Sequence, residues 1–331
     1  MAISLADIKK LRDMTSAGMM DCKNALTEAD GDFKRAVEIL REKGKSTLSK
    51  RGDNETTQGA VLSRVKGGKA VLVCLGCETD FVAATPDFKT LAGHIADAAI
   101  AAFPQDAEAL KATKLPTGYT VEEDITNQAG KTGEKHVLAY YGALEAPFVS
   151  EYVHFNGKLG AIVAFNKEVP AAIARGIAMQ VASMNPVAVD AASVPAEVLE
   201  SERTVAIQKT KDEQVQKAVD AALKKAGINP AHVDSEDHIE SNQAKGWLTA
   251  EQAAQAREII AKVGAEKAAS LPEAMINGIV NGRLQKFLKE NTLMDQEYQL
   301  SDDKATVAEA LAAAADKEAK VLSFKRFSLS D

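Results

Sequence analysis

The chain has 331 residues, 46% of them apolar, and a formal net charge of −7. This length calls for two to four modules with ample core, while the acidic balance excludes a basic footprint for direct nucleic-acid binding and favours basic protein surfaces as partners. No apolar run approaches the roughly 18 residues of a membrane span, and the opening Met1-Ala2-Ile3-Ser4-Leu5-Ala6-Asp7 has neither a cationic segment nor a secretion-length apolar stretch, so no membrane partner and a cytoplasmic location are expected.

Residues 1–44 read as a three-helix bundle. Leu5, Ile8 and Leu11 recur at helical spacing after a Ser4 cap, Ala17 to Leu26 forms a second helix, and Phe33, Val37 and Leu40 mark a third after Asp30-Gly31. A bundle of about forty residues is near the lower limit for independent folding, which suits a docking module. Of the adjacent Met19 and Met20, one can face the bundle; the other then points about 100° away, as an adaptable contact. Residues 45–57 are polar and aperiodic and read as a linker.

An internal repeat comes next. Gln58 to Val65, Gly67-Gly68 and Lys69 to Gly76 form a predicted hairpin followed by a helix over 87–102; Val149 to Phe155, Asn156-Gly157 and Lys158 to Phe165 form a second, followed by a helix over 170–184. The fold class is therefore α+β, with a core of two repeated hairpin-plus-helix subdomains at 58–148 and 149–194, the second completed by about 292–331. His136 to Leu144 supplies a further strand, expected beside the second hairpin, and the alternating Val321 to Phe327 a strand that returns to the sheet. In between, 195–291 turns helical and charged, with segments at 196–211, 212–225, 249–263 and 272–290 and a capping box at Thr249-Ala250-Glu251-Gln252. Little deep apolar content and turns such as Gly227-Ile228-Asn229-Pro230 predict an antiparallel arm projecting from the core.

The chemistry of enzymes is not apparent. The sequence has no GxxxxGK[ST] loop, no GxGxxG after a strand, and no HExxH or Ser/His/Asp set among His94, His136, His154, His232 and His238. No enzymatic activity, cofactor or metal is expected. Three cysteines fit a reducing compartment better than a disulfide framework. Cys74-Leu75-Gly76-Cys77 matches CxxC, but zinc would need a second pair, and on a strand the two side chains point to opposite faces. Burial as small apolar residues accounts for both, against a competing reading as a thiol oxidoreductase. His154 lies at the end of a hairpin strand, as a structural or a contact residue. Where the apolar run Ala70 to Leu75 ends, Cys77-Glu78-Thr79-Asp80-Phe81-Val82 sets a bulky ring beside a carboxylate just past the strand. Alone, Phe81 is either core filler or a contact with something outside the domain.

Leu11-Arg12-Asp13-Met14-Thr15-Ser16-Ala17-Gly18-Met19-Met20-Asp21-Cys22-Lys23-Asn24-Ala25-Leu26 closely resembles the N-terminal signature of the elongation factor Ts family, and Cys77 to Val82 resembles that family's second signature. Tyr152-Val153-His154 with Gly157-Lys158-Leu159-Gly160, Ile177 to Ala182, and Gly282 to Phe287 extend the likeness over nearly the whole chain. The resemblance implies a guanine-nucleotide exchange factor that binds elongation factor Tu with GDP, displaces Mg²⁺ and promotes GDP release during translation elongation. It further implies that the bundle is of the ubiquitin-associated type and docks on the GTPase's nucleotide domain. Thr79, Asp80, Phe81 and Val82 would dislodge the Mg²⁺, and Arg12, Met19, Met20, Lys23 and His154 would be docking contacts. The chain departs from the family in two places. Gln296-Glu297-Tyr298-Gln299-Leu300 stands where a Gln-Pro-aromatic is common, and the stretch from about Lys209 to Ser270 is longer than the family's usual arm, either lengthening a solvated arm or adding a partner surface.

Overall fold

A computed structural model of the chain describes residues 3–15 and 17–330; Met1, Ala2, Ser16 of the N-terminal signature and Asp331 lie outside the described residues. The chain divides into two units, Met1–Val189 with Leu293–Asp331, and Asp190–Thr292. The first begins with α1 (Leu5–Thr15), α2 (Met19–Glu28) and α3 (Phe33–Lys50), followed by β1 (Gln58–Lys66) and β2 (Lys69–Cys77). Next come a single helical turn, α4 (Asp80–Ala83), then α5 (Pro86–Ala102), α6 (Ala107–Lys111), α7 (Val121–Thr132) and β3 (His136–Glu145). β4 (Phe148–Val153), β5 (Leu159–Phe165) and α8 (Ala171–Met184) follow. The second unit holds α9 (Ala196–Lys225), α10 (Glu236–Ala244), α11 (Ala250–Ala269) and α12 (Glu273–Asn291), after which α13 (Val307–Ala314) and β6 (Val321–Ser328) belong again to the first.

Two antiparallel sheets, β1-β2-β3 and β4-β5-β6, share one connectivity: a hairpin, helical structure, then a third strand against the hairpin's second strand. β3 accordingly pairs with β2, from Lys69↔Glu145 to Cys77↔His136, and not with the second hairpin as its sequence position suggested. It is the first sheet's counterpart of β6, which pairs with β5 from Leu159↔Ser328 to Phe165↔Val321. The apolar run in β2 is continuous because both of its faces are covered. Val71, Val73, Leu75 and Cys77 pack with Phe88, Leu91 and Ile95 of α5, while Ala70, Leu72 and Cys74 meet Ile162 and Ala164 of β5. β5 mirrors this, turning Ala161, Val163 and Phe165 towards Ile173 and Ile177 of α8. The core is thus layered helix, sheet, sheet, helix.

The first three helices bury Leu11, Cys22, Leu26 and Ala36 against one another. α3 begins where the Asp32 carboxylate accepts the Lys34 and Arg35 N–H groups, and it runs through Gly44 to Lys50, well into the expected linker. Gly44 is not a stop signal. It is the point where α3 crosses α7: a Cβ there would lie 2.1 Å from the Thr126 carbonyl oxygen, and a Cβ on Gly130 would lie 3.1 Å from the Gly44 Cα. α4, α6, α7, α10 and α13 have no counterpart in the predicted elements. In α7 the periodicity is masked by buried polar residues, Asp124, Thr126 and Gln128, although Thr120 and Glu123 start it with a capping box.

In the second unit the two segments expected at 196–211 and 212–225 are one helix, α9, of 30 residues. The charged residues at the expected division are helix surface, where Gln208 donates to Asp212 at 2.8 Å and Arg283 pairs with Glu213 at 2.5 Å. The unit also has more interior than predicted. Val219, Leu223, Ile228, Val233, Ile239, Leu248, Ala253 and Ala256 form one buried cluster, contributed so sparsely by each segment that no single window reveals it. The Thr249–Gln252 capping box opens α11.

Candidate functional site

The site is built where β2 ends. Cys77 is the last residue buried against α5, and the chain then turns through α4. Thr79 caps that turn by accepting the Val82 N–H, and Thr85 closes it by donating to the Val82 carbonyl at 2.8 Å before Pro86 opens α5. Val82 and Ala83 pack onto the helix-side core. In a single turn the residues before them must then point away, and Asp80 and Phe81 are exposed, Phe81 to 83%. A Phe ring left in water forgoes about 1.5–3 kcal/mol of burial.

Two carboxylates fasten the root of this turn. Glu78 accepts the Lys135 N–H at 2.5 Å, the Asn54 side-chain amide at 2.7 Å and the Arg51 guanidinium at 2.6 Å. Burial alone would raise the Glu78 carboxyl, but these donors outweigh it and hold the group below its ordinary value. Glu134 accepts the Thr79 hydroxyl at 2.7 Å and the Thr79 N–H at 3.1 Å. The Lys135 ammonium in turn donates to the Gly52 and Asn54 carbonyls, tying the segment after α3 to the same corner. Beneath lies His136, buried against Phe88, with Nδ1 3.0 Å from the Glu134 carbonyl oxygen and Nε2 unpartnered. Burial depresses its pKa, and since a carbonyl can only accept, the hydrogen resides on Nδ1.

The tip of the second hairpin lies at the same end of the core. Gln58 pairs with Cys77 at the end of β2, and the Gln58 side chain accepts from the Lys158 ammonium at 2.6 Å while the Val61 N–H donates to the Gly157 carbonyl at 2.7 Å. The Asn156-Gly157 turn, with Gly157 at φ 65°, directs His154 and Phe155 outward. His154 is half-buried, its Nδ1 2.7 Å from the Tyr152 hydroxyl and its ring 4.4 Å from that of Phe155. Phe155 is 92% exposed, more than Phe81, and was not among the sequence candidates. Its signal was an aromatic directly before Asn-Gly, where a hairpin tip offers no core to fill.

The N-terminal helices present a third group. Cys22, Ala25 and Leu26 take the inner face of α2, so both methionines point outward, Met19 40% and Met20 65% exposed, rather than one facing the bundle as expected. Lys23 is exposed one turn on, and Arg12 is exposed on α1. Arg12 and Met19 border a cleft with Asp87 and Lys131, which are ion-paired to each other. Asp87 lies in the first turn of α5, directly after α4. The placement brings Arg12, Met19, Met20 and Lys23, the Thr79–Val82 turn and His154 to one end of the first unit.

Neither CxxC thiol is poised for chemistry. Cys74 and Cys77 lie on opposite faces of β2, and burial pushes each up to about 12, far from a thiolate at neutral pH. Among the described residues no group of three or more His, Cys, Asp or Glu side chains is placed to hold a metal ion, and no helix is long and apolar enough to cross a membrane.

The comparisons with known proteins agree with one another. Residues 78–331 match the family model described as elongation factor TS. Over the full length, the chain is 54% identical to a protein named elongation factor Ts from Bacteroides thetaiotaomicron across 330 residues, 99% of each chain. It is 55% identical to its namesake in Bacteroides fragilis, again over 99% of each, and 36% identical to that of Porphyromonas gingivalis over 100% of this chain and 99% of the other.

Proposed function

This chain belongs to the elongation factor Ts family, and we propose on that premise that it is a guanine-nucleotide exchange factor for elongation factor Tu, displacing Mg²⁺ and promoting GDP release during translation elongation. The observation that carries the mechanism is Phe81, an apolar ring held out in water on a turn fastened at its root. Bound GDP in such a GTPase is gripped by main-chain N–H groups and a bridging Mg²⁺. Another protein speeds its release only by binding the distorted, metal-depleted state better than the loaded one. A thousandfold acceleration takes about 4 kcal/mol of such preference, and burial of one Phe supplies roughly 1.5–3 kcal/mol.

Phe81 therefore does not act alone. Phe81 enters an apolar gap in the partner, Asp80 disturbs the polar groups behind the metal, and Thr79 and Val82 fix the turn from which both project. Arg12, Met19, Met20 and Lys23 on one side and His154 on the other anchor the partner. In this reading residues 1–44 are a ubiquitin-associated-type docking bundle, 58–148 and 149–194 with 292–331 are the two halves of the core, and 195–291 is a helical arm. The protein makes and breaks no covalent bond, needs no cofactor of its own, contacts no nucleic acid directly and works in the cytoplasm. Linkage requires that saturating GDP and Mg²⁺ weaken the complex.

The test is stopped-flow release of a fluorescent GDP analogue from elongation factor Tu. The unmodified protein accelerates it. With 83% of the Phe81 surface still to bury, Phe81→Ala forfeits about 1.2–2.5 kcal/mol, a loss of roughly 8- to 70-fold in the accelerated rate. Release as fast with Phe81→Ala as with the parent refutes the mechanism.

A further inference from the structure

We infer that Glu134 is a positioning residue for exchange: it touches no partner atom and sets the direction in which Asp80 and Phe81 point. The inference rests on the reading of Phe81 given above. Glu78 and Glu134 form a reciprocal clasp across the ends of β2 and β3. Glu78 accepts the N–H of Lys135, the residue after Glu134, and Glu134 accepts the N–H of Thr79, the residue after Glu78. Glu134 also accepts the Thr79 hydroxyl proton, which leaves that oxygen's lone pairs facing the Val82 N–H, and Thr79 Oγ1 accepts it at 3.4 Å. One carboxylate thus decides which way the cap of α4 is turned.

The turn needs this. α4 has only four residues, and a single helical turn has no cooperative ladder to hold its own axis. Glu134 is itself immobilised from behind, its carbonyl oxygen bonded to the buried His136. Supporting groups of this kind matter because a misplacement of about 1 Å can cost an order of magnitude or more in rate. Glu134 is 55 residues from Thr79 along the chain, so no local pattern relates the two.

The experiment is the GDP-analogue release assay run over a series of factor concentrations, which separates the maximal rate from the concentration giving half of it. Glu134→Ala is expected to lower the maximal rate about tenfold, with the half-maximal concentration changed less than about threefold because the anchoring faces lie elsewhere. Glu134→Gln keeps an acceptor for the Thr79 N–H and should recover part of the loss. Thr79→Val, which removes the hydroxyl and retains the side-chain volume, should lower the maximal rate in the same way without depending on any change at Glu134. In a Phe81→Ala background, Glu134→Ala should cause a clearly smaller loss, since only the aim of Asp80 is left to disturb. The inference is overturned if Glu134→Ala leaves the maximal rate unchanged, if Gln does no better than Ala, or if the loss persists undiminished without Phe81. Where Phe81→Ala slows release and neither Glu134→Ala nor Thr79→Val does, this inference alone fails; where Phe81→Ala has no effect, the reading beneath it fails as well.

Discussion

Gly44→Ala sets two effects of opposite sign against each other. Replacing a helix-interior glycine by alanine ordinarily stabilises by about 0.8–1.0 kcal/mol. Here the new Cβ would lie 2.1 Å from the Thr126 carbonyl oxygen, more than an ångström inside ordinary contact. That oxygen belongs to the backbone of α7 and cannot rotate away, so α3 and α7 must part. Overpacking of this kind costs about 1–3 kcal/mol, and a rigid obstacle places it at the upper end. The net expectation is a loss of about 2 kcal/mol, or a Tm lower by roughly 4–8 °C. Gly93→Ala, in the middle of α5 with nothing within 4 Å of its Cβ, is the matched control. It should gain about 0.8–1.0 kcal/mol. Thermal unfolding followed by circular dichroism reads both. A Gly44→Ala protein that melts at or above the parent would show that the helices separate freely and that the crossing does not fix the N-terminal helices to the core.

Other outcomes follow from the same geometry. Met19→Ala with Met20→Ala removes two exposed side chains and should raise the factor concentration needed for half-maximal GDP release about tenfold while sparing the maximal rate; a fall in the maximal rate alone would remove them from docking. His136 has a pKa depressed by burial from its ordinary 6.5, so as pH falls the unfolded chain takes up the proton first. Stability should therefore be complete above 6.5 and drain away between 6.5 and the lower native value. Melts from about pH 7.5 to about pH 5 should steepen in the parent and flatten in His136→Gln, and equal slopes would dismiss the buried-neutral assignment. Cys74 and Cys77, with thiols near 12, should alkylate in the native protein far more slowly than in denaturant; equal rates at mild alkaline pH would reopen the thiol reading.

The two hairpins were legible because turn chemistry is local: Asn156-Gly157 sits where its own residues require it. Thr79 to Val82 stood out for a similar reason, as a break in composition at the end of an apolar run. What escaped depends on distant partners. The strand at 136–144 could be seen, but whether it joined β2 or the second hairpin depended on which strand had an open edge. The polar stretch from 45 read as a linker, and only the packing of Gly44 on the opposite helix explains why α3 runs on through it. Phe155 looked like part of a strand until the turn placed it at the tip. Glu134 and His136, which hold the Phe81 turn from below, resemble any acid and any histidine in a list of residues.

The double burial of β2 has a mechanical meaning for the side chain at its end. A group pressed into another protein feels an equal push back, and a flexible loop would absorb that recoil by bending. Here the strand behind it is hydrogen-bonded along both edges and covered on both faces, so the push runs down a rod that cannot shift without opening the whole first unit. The amide hydrogens of β2 should therefore be among the slowest to exchange with solvent, and this doubly covered strand stands directly behind the turn that exposes Phe81.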